Sequence, residues 1–184
     1  MATQRVSLSR SLAVSIPAVW ISSLLCFYLL EFRDGVLLRT LGPTWTYLLV
    51  GSAYPLIVAF PLSRLVSTRR QGRFVVAFGG LFIAAIALMA VCLRLVPGLV
   101  GGYAAGVLAV SCLGCGISYY LNRRSNFIMI GSLLACWTFL GDFTGYNTRH
   151  MLGGLEGVMA YASIYSVFLG SGLGAILWYV QRGG

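Results

Sequence analysis

Residues 74–95 read FVVAFGGLFIAAIALMAVCLRL, an apolar run whose single charge, Arg94, stands one residue before its end. A helix rises about 1.5 Å per residue, so about 20 residues cross the ~30 Å hydrocarbon layer of a bilayer. The run therefore has the length of a transmembrane helix. It is too long for a barrel strand and shows no apolar–polar alternation. Similar runs flank it at 12–30 and 45–65 on one side and at 99–121, 127–146 and 155–180 on the other. Short polar breaks separate them, such as Ser67-Thr68-Arg69-Arg70-Gln71-Gly72-Arg73, Pro97-Gly98 and Asn147-Thr148-Arg149-His150. The expectation is an all-α integral membrane protein of six transmembrane helices. Residues 1–184 form one six-helix domain that opens with a short basic segment, 1–11.

Composition agrees. Of the 184 residues, 59% are hydrophobic and 9% are charged, against about 25% charged in an ordinary soluble domain. A soluble globule of this composition could not cover its surface, and a disordered chain would be polar. A six-helix bundle with short loops uses the whole length, which leaves no room for a soluble domain.

The charge is lopsided: 13 basic side chains, all Arg, against 4 acids, for a net +9. Arg5, Arg10, Arg64, Arg69, Arg70, Arg73, Arg123, Arg124 and Arg182 fall on one side of the predicted membrane. Arg33, Arg39, Arg94 and Arg149 fall on the other, together with Glu31, Asp34, Asp142 and Glu156. Basic loops stay on the cytoplasmic side, so both termini are expected in the cytoplasm, or in the matrix of an organelle. The membrane is the plasma membrane or an organellar inner membrane. The basic clusters are short and lie between apolar runs, which fits membrane anchoring and not nucleic acid. The apolar run after Arg5 and Arg10 is too long for a signal peptide and is expected to stay as the first helix.

Few groups offer chemistry. Cys112 and Cys115 form a C-x-x-C motif, but Cys26, Cys92 and Cys136 supply no second pair. Within the fourth span they read as small apolar residues. His150 is the only histidine and falls in a predicted external loop. With no Lys, one His and no triad or metal cluster, the general acid–base inventory is nearly empty. No enzyme activity, cofactor or metal is expected.

Asp142 stands out because a carboxylate within a span is costly and usually functional. Glu156, at the start of the sixth span, suits a helix N-terminus. Glycine pairs at Gly102/Gly106, Gly141/Gly145, Gly153/Gly157 and Gly170/Gly174 have the spacing that lets helix backbones touch. Pro17, Pro55 and Pro61 can bend spans, as in helices that line transporter pathways.

Gly141-Asp142-Phe143-Thr144-Gly145, a seven-residue gap, and Gly153-Gly154-Leu155-Glu156-Gly157 resemble the end of the acetate uptake transporter family, the succinate–acetate permeases. Tyr161 and Tyr165 supply the tyrosine of the helix that follows. Ile16-Pro17-Ala18 stands where that family has Asn-Pro-Ala, and Phe78-Gly79-Gly80-Leu81-Phe82 resembles its Tyr-Gly-x-Phe-Trp stretch. The resemblance implies an oligomer in which each protomer passes a small carboxylate through its own bundle, narrowed at Phe78. Asp142, Thr144, Phe78 and Pro17 are then the expected pathway residues. Gly141, Gly145, Gly153, Gly154 and Gly157 are the expected packing residues. Two readings follow: a transporter or channel for small carboxylates such as acetate, or a non-catalytic subunit of a larger membrane complex such as a respiratory or translocation assembly. The partners are the lipid bilayer and either copies of the chain or other subunits.

Overall fold

The computed structural model describes residues 6–31, 36–66, 71–96, 98–121 and 126–182, with the side chains of 29–31, 36–38, 41, 43–48, 51 and 99–100 left aside. Of the breaks expected at 31–35 and 122–126, residues 32–35 and 122–125 lie outside the described residues, as do residues 67–70 and 97. Six helices make up nearly all the rest: α1 (Leu8–Glu31), α2 (Val36–Ser63), α3 (Gln71–Leu95), α4 (Leu99–Leu121), α5 (Phe127–Leu152) and α6 (Gly154–Arg182). Five of them, α1 and α3 to α6, are long and apolar enough to cross a membrane. In α2 the described part contains a shorter apolar stretch, Ser52–Ser63. The chain is an all-α, multi-pass membrane protein.

Each helix packs on its neighbour in sequence, and α6 returns to pack on α1, so the six form a closed ring. α4 also touches α6. Lipid tails are as apolar as leucine, so no hydrophobic force drives such helices together; close backbone approach does. The α1–α6 seam shows this. Ser11, Ser15 and Ser22 on α1 are almost fully buried, and the Ser11 hydroxyl donates to the Gly174 carbonyl at 2.7 Å. A Cβ on Gly170 would lie 2.9 Å from the Ile16 Cα. At the α4–α5 seam, a Cβ on Gly114 would lie 3.0 Å from the Gly131 Cα.

Several boundaries differ from expectation. α1 starts at Leu8, so the end of the basic segment 1–11 belongs to the bundle, with Ser11 buried in its seam. α5 runs to Leu152, through the break expected at 147–150. The Asn147 amide donates to the Phe143 carbonyl at 2.8 Å, and the Thr148 hydroxyl to the Thr144 carbonyl at 2.9 Å. These polar side chains are satisfied by the preceding turn and do not break the helix. His150 is therefore not in a loop but in the last turn of α5, edge-on to Tyr146 at 4.4 Å. α2 begins at Val36, earlier than residue 45, and bends where Gly42 takes φ 77°.

The glycine expectations divide. Gly141, Gly145 and Gly157 are buried and pack as expected. A Cβ on each would meet Phe168, Tyr161 and the Arg149 backbone respectively. Gly153 and Gly154 do not pack: both are exposed, and a Cβ there would meet nothing within 4 Å. They take φ 68° and 48°, a left-handed backbone that glycine adopts without strain. Their role is the turn between α5 and α6, where the Gly153 N–H donates to the Arg149 carbonyl at 2.9 Å.

Asn126 caps the start of α5 by accepting from the Met129 N–H at 3.3 Å; Met151, near the other end, is 86% exposed. Single cysteines placed at these two positions in a cysteine-free background test the orientation. A membrane-impermeant maleimide added outside intact cells should label position 151 and spare 126 until the cells are opened. Labelling of both from the same side would refute the topology.

Candidate functional site

Asp142 lies ten residues before the end of α5, about 15 Å down a continuous helix. It is partly buried. A 26-residue helix centred on a ~30 Å hydrocarbon layer would hold that position inside the layer. The Tyr161 hydroxyl on α6 donates to its Oδ1 at 2.6 Å. The pairing needs Gly145, because Tyr161 packs against the space that a side chain there would occupy. Among the described residues no cation lies within ion-pair distance of Asp142.

The pair opens into a cavity of about 320 Å³ between α1, α3, α4, α5 and α6. Five of its thirteen lining residues are aromatic: Phe27, Tyr103, Phe139, Tyr161 and Tyr165. Phe27 stands edge-on to Tyr161 at 5.9 Å, and Tyr103 stands edge-on to Phe139 at 5.5 Å. Gly102 and Gly106 line it as well. They were expected to bring backbones together; instead a Cβ on either would meet nothing within 4 Å, and the missing side chains leave part of the cavity's volume. One turn deeper than Asp142 on the same face of α5, Thr138 also lines the cavity. Its hydroxyl is buried and has no hydrogen-bond partner.

From the cavity toward the Arg-rich end the interior is filled. Ser23, one turn from Phe27, shares a hydrogen bond with the Tyr54 hydroxyl at 3.1 Å. Tyr54 meets Phe82 at 5.2 Å. Phe82, Phe78 and Phe74 then follow at helical spacing down one face of α3, with ring centroids 6.2 and 5.8 Å apart. Phe78 and Phe74 are each 1% exposed and belong to the main apolar core with Val58, Leu62, Leu173 and Leu177. The cavity is thus closed toward the Arg-rich end by an aromatic and aliphatic plug.

Of the expected pathway residues, Asp142 lines the cavity and Phe78 forms the plug beneath it. Pro17 and Thr144 join neither. Pro17 is exposed, on the same face of α1 as exposed Ile21 and Tyr28. Thr144 is exposed on the face of α5 that carries Leu133, Trp137 and Leu140. Both are outward, lipid-side positions. Sequence reasoning missed Thr138, Tyr103, Phe27 and Tyr54, each of which reads as ordinary span sequence. The one available signal was Thr138 standing four residues before Asp142, which puts both on one face.

Cys112 and Cys115 lie on α4 with free thiols, and Cys115 packs where Gly131 approaches from α5. A second hollow, about 450 Å³, lies at the α5–α6 turn beside Arg149 and His150. Both side chains are exposed, so it fixes no geometry. Compared with known protein families, curated proteins and solved structures, the chain matches none.

Proposed function

We propose that this protein is a transporter or channel for small solutes, with small carboxylates such as acetate among them. The observation that carries the reading is the cavity between α1, α3, α4, α5 and α6 that holds the carboxylate of Asp142. A subunit whose interior only packs needs no such space, whereas a solute crossing a dry apolar bundle needs polar stations. The cavity size suits a small molecule. Thr138, Tyr103 and Tyr165 are among its lining residues. An anion would meet Asp142 unfavourably, so a carboxylate is taken as the uncharged acid, whose O–H can donate to Asp142. The resemblance of residues 141–165 to the acetate uptake transporters adds acetate as the solute to try first.

Proteoliposomes carrying the purified chain should take up radiolabelled acetate well above protein-free vesicles. Asp142→Leu removes the only charged group of the cavity and its bond to Tyr161, and should lower that uptake by about tenfold, the scale of one lost charge-assisted hydrogen bond. No uptake above protein-free vesicles, with the chain instead copurifying with fixed partners, would replace this reading with that of a non-catalytic subunit.

A further inference from the structure

We propose that the cavity opens sideways into the bilayer between α4 and α5 and takes from it a carboxylic acid with a medium-length alkyl chain. The acid head sits at Asp142 and the chain lies in the opening. The head rests on the transport reading above; the acid's length and its way in rest on the geometry of the α4–α5 seam.

The inner half of that seam is closed. A Cβ on Gly114 would lie 3.0 Å from the Gly131 Cα, and one on Gly131 would lie 2.7 Å from the Ser111 carbonyl oxygen. In the outer half the helices are bridged by rings instead: Tyr103 meets Phe139 at 5.5 Å and Tyr146 at 6.3 Å. Beside this bridge, Val107 on α4 and Phe139 on α5 both line the cavity and are exposed, at 36% and 38%. Each adjoins an outward side chain. Val107 is followed by exposed Leu108, and Phe139 stacks on exposed Phe143 at 6.4 Å. The cavity lining is therefore continuous with the outer surface of these two helices. Val107 lies eight residues into α4, about 12 Å along the helix, so hydrocarbon meets the opening there.

The lining sets the ligand's chemistry. Asp142 carries its one formal charge, three residues from Phe139 on α5. Tyr161 holds Oδ1, and Oδ2 takes no hydrogen bond from the described residues. An acid O–H donates to a carboxylate strongly and has no such acceptor among lipid tails. Phe27, Met89, Val107, Val110 and Phe139 offer the rest of the ligand an apolar wall. An alkyl chain gains little by leaving lipid for that wall, because both are apolar; the head's hydrogen bond supplies the pull. The volume, about 320 Å³, falls among pockets that enclose whole organic molecules, about 300–1,000 Å³, and is more than a two-carbon acid fills.

The test is photolabelling of the full chain in proteoliposomes with a decanoic acid that carries a diazirine near its tail. The pH is about 5, where a carboxyl group is partly uncharged. Peptide mapping should place the label within 103–110 and 135–143, and excess octanoic acid should displace it. Acetic acid, which lacks the chain, and octane, which lacks the head, should not. Val107→Trp closes the opening and should lose the displaceable label, whereas Leu108→Trp, on the outward face, should keep it. Asp142→Leu should lower it by about tenfold. Elution volume and melting temperature show that each variant is folded. Label that octanoic acid fails to displace is ordinary lipid contact and overturns the proposal, as does wild-type displaceable label in folded Val107→Trp. Displacement by octane overturns the head contact at Asp142. Acetate uptake is read in the same vesicles. Uptake without displaceable label leaves the transport reading standing and overturns the sideways entry. Displaceable label without uptake supports the acid site and excludes acetate as its solute.

Discussion

Gly174→Leu is expected to destroy the bundle, with no monodisperse folded protein recovered in mild detergent. A Cβ at Gly174 would fall on the Ser15 hydroxyl, 3.2 Å from the Leu12 side chain and 3.3 Å from the Ser11 carbonyl oxygen. The backbones are equally close one turn earlier, where a Cβ on Gly170 would lie 3.0 Å from the Ser15 carbonyl oxygen and 2.9 Å from the Ile16 Cα. Separating α1 from α6 also breaks the hydrogen bond from Ser11 to the Gly174 carbonyl. Overpacking commonly costs about 1–3 kcal/mol and more where backbone must move; a leucine against backbone belongs at or above the upper end. The ring closes through this seam, so its loss leaves an open, unpaired bundle. Gly80→Leu is the matched control: Gly80 is exposed, a Cβ there meets nothing within 4 Å, and stability should stay within about 0.5 kcal/mol of wild type. Wild-type elution and melting of Gly174→Leu would remove the seam from the account of stability.

This seam also marks how far the sequence could be read. Helix number and helical class were legible because length and apolarity are enough to specify a membrane helix. The inward face was not. In a soluble protein, apolar periodicity points to the core; in lipid both faces are apolar, and Val76, at 75% exposed, looks no different from Val58 at 1%. Small residues carry the information instead. Gly141, Gly145 and Gly157 were identifiable from spacing, whereas the serines of α1 were not among the expected contacts. Glycine spacing has its own ambiguity: the same four-residue step makes a contact at Gly170 and Gly174, an opening at Gly102 and Gly106, and a turn at Gly153. Only the neighbouring helix decides which. Asp142 was legible as a costly buried acid; its partner was not, since Tyr161 lies nineteen residues away and the pairing depends on how closely α5 and α6 approach. Pro17 came from its helix-bending chemistry and, with Thr144, from motif resemblance; neither signal carries information about which way a helix is rotated.

Phe78→Ala is the second change with a large expected effect, and it separates packing from gating. Phe78 is 1% exposed, between Phe74 and Phe82 in the column that fills the inner half of the bundle. Truncating a buried phenylalanine to alanine removes its contacts and leaves a hole, at a cost of about 3–5 kcal/mol. The melting temperature in detergent should drop clearly. If the column is also the barrier between the outer cavity and the Arg-rich end, the hole joins the two, and passive flux of small solutes through proteoliposomes should rise. Phe78→Leu keeps an apolar side chain in the gap. It should recover most of the stability and keep flux low, whereas a barrier made elsewhere would leave flux unchanged in both variants. Destabilisation without added flux would keep Phe78 as a core residue and remove it from the pathway. An unchanged melting temperature would contradict its burial outright. The two readouts are independent because stability depends on every contact the ring makes, whereas flux depends only on whether one continuous channel connects the outer cavity to water on the other side.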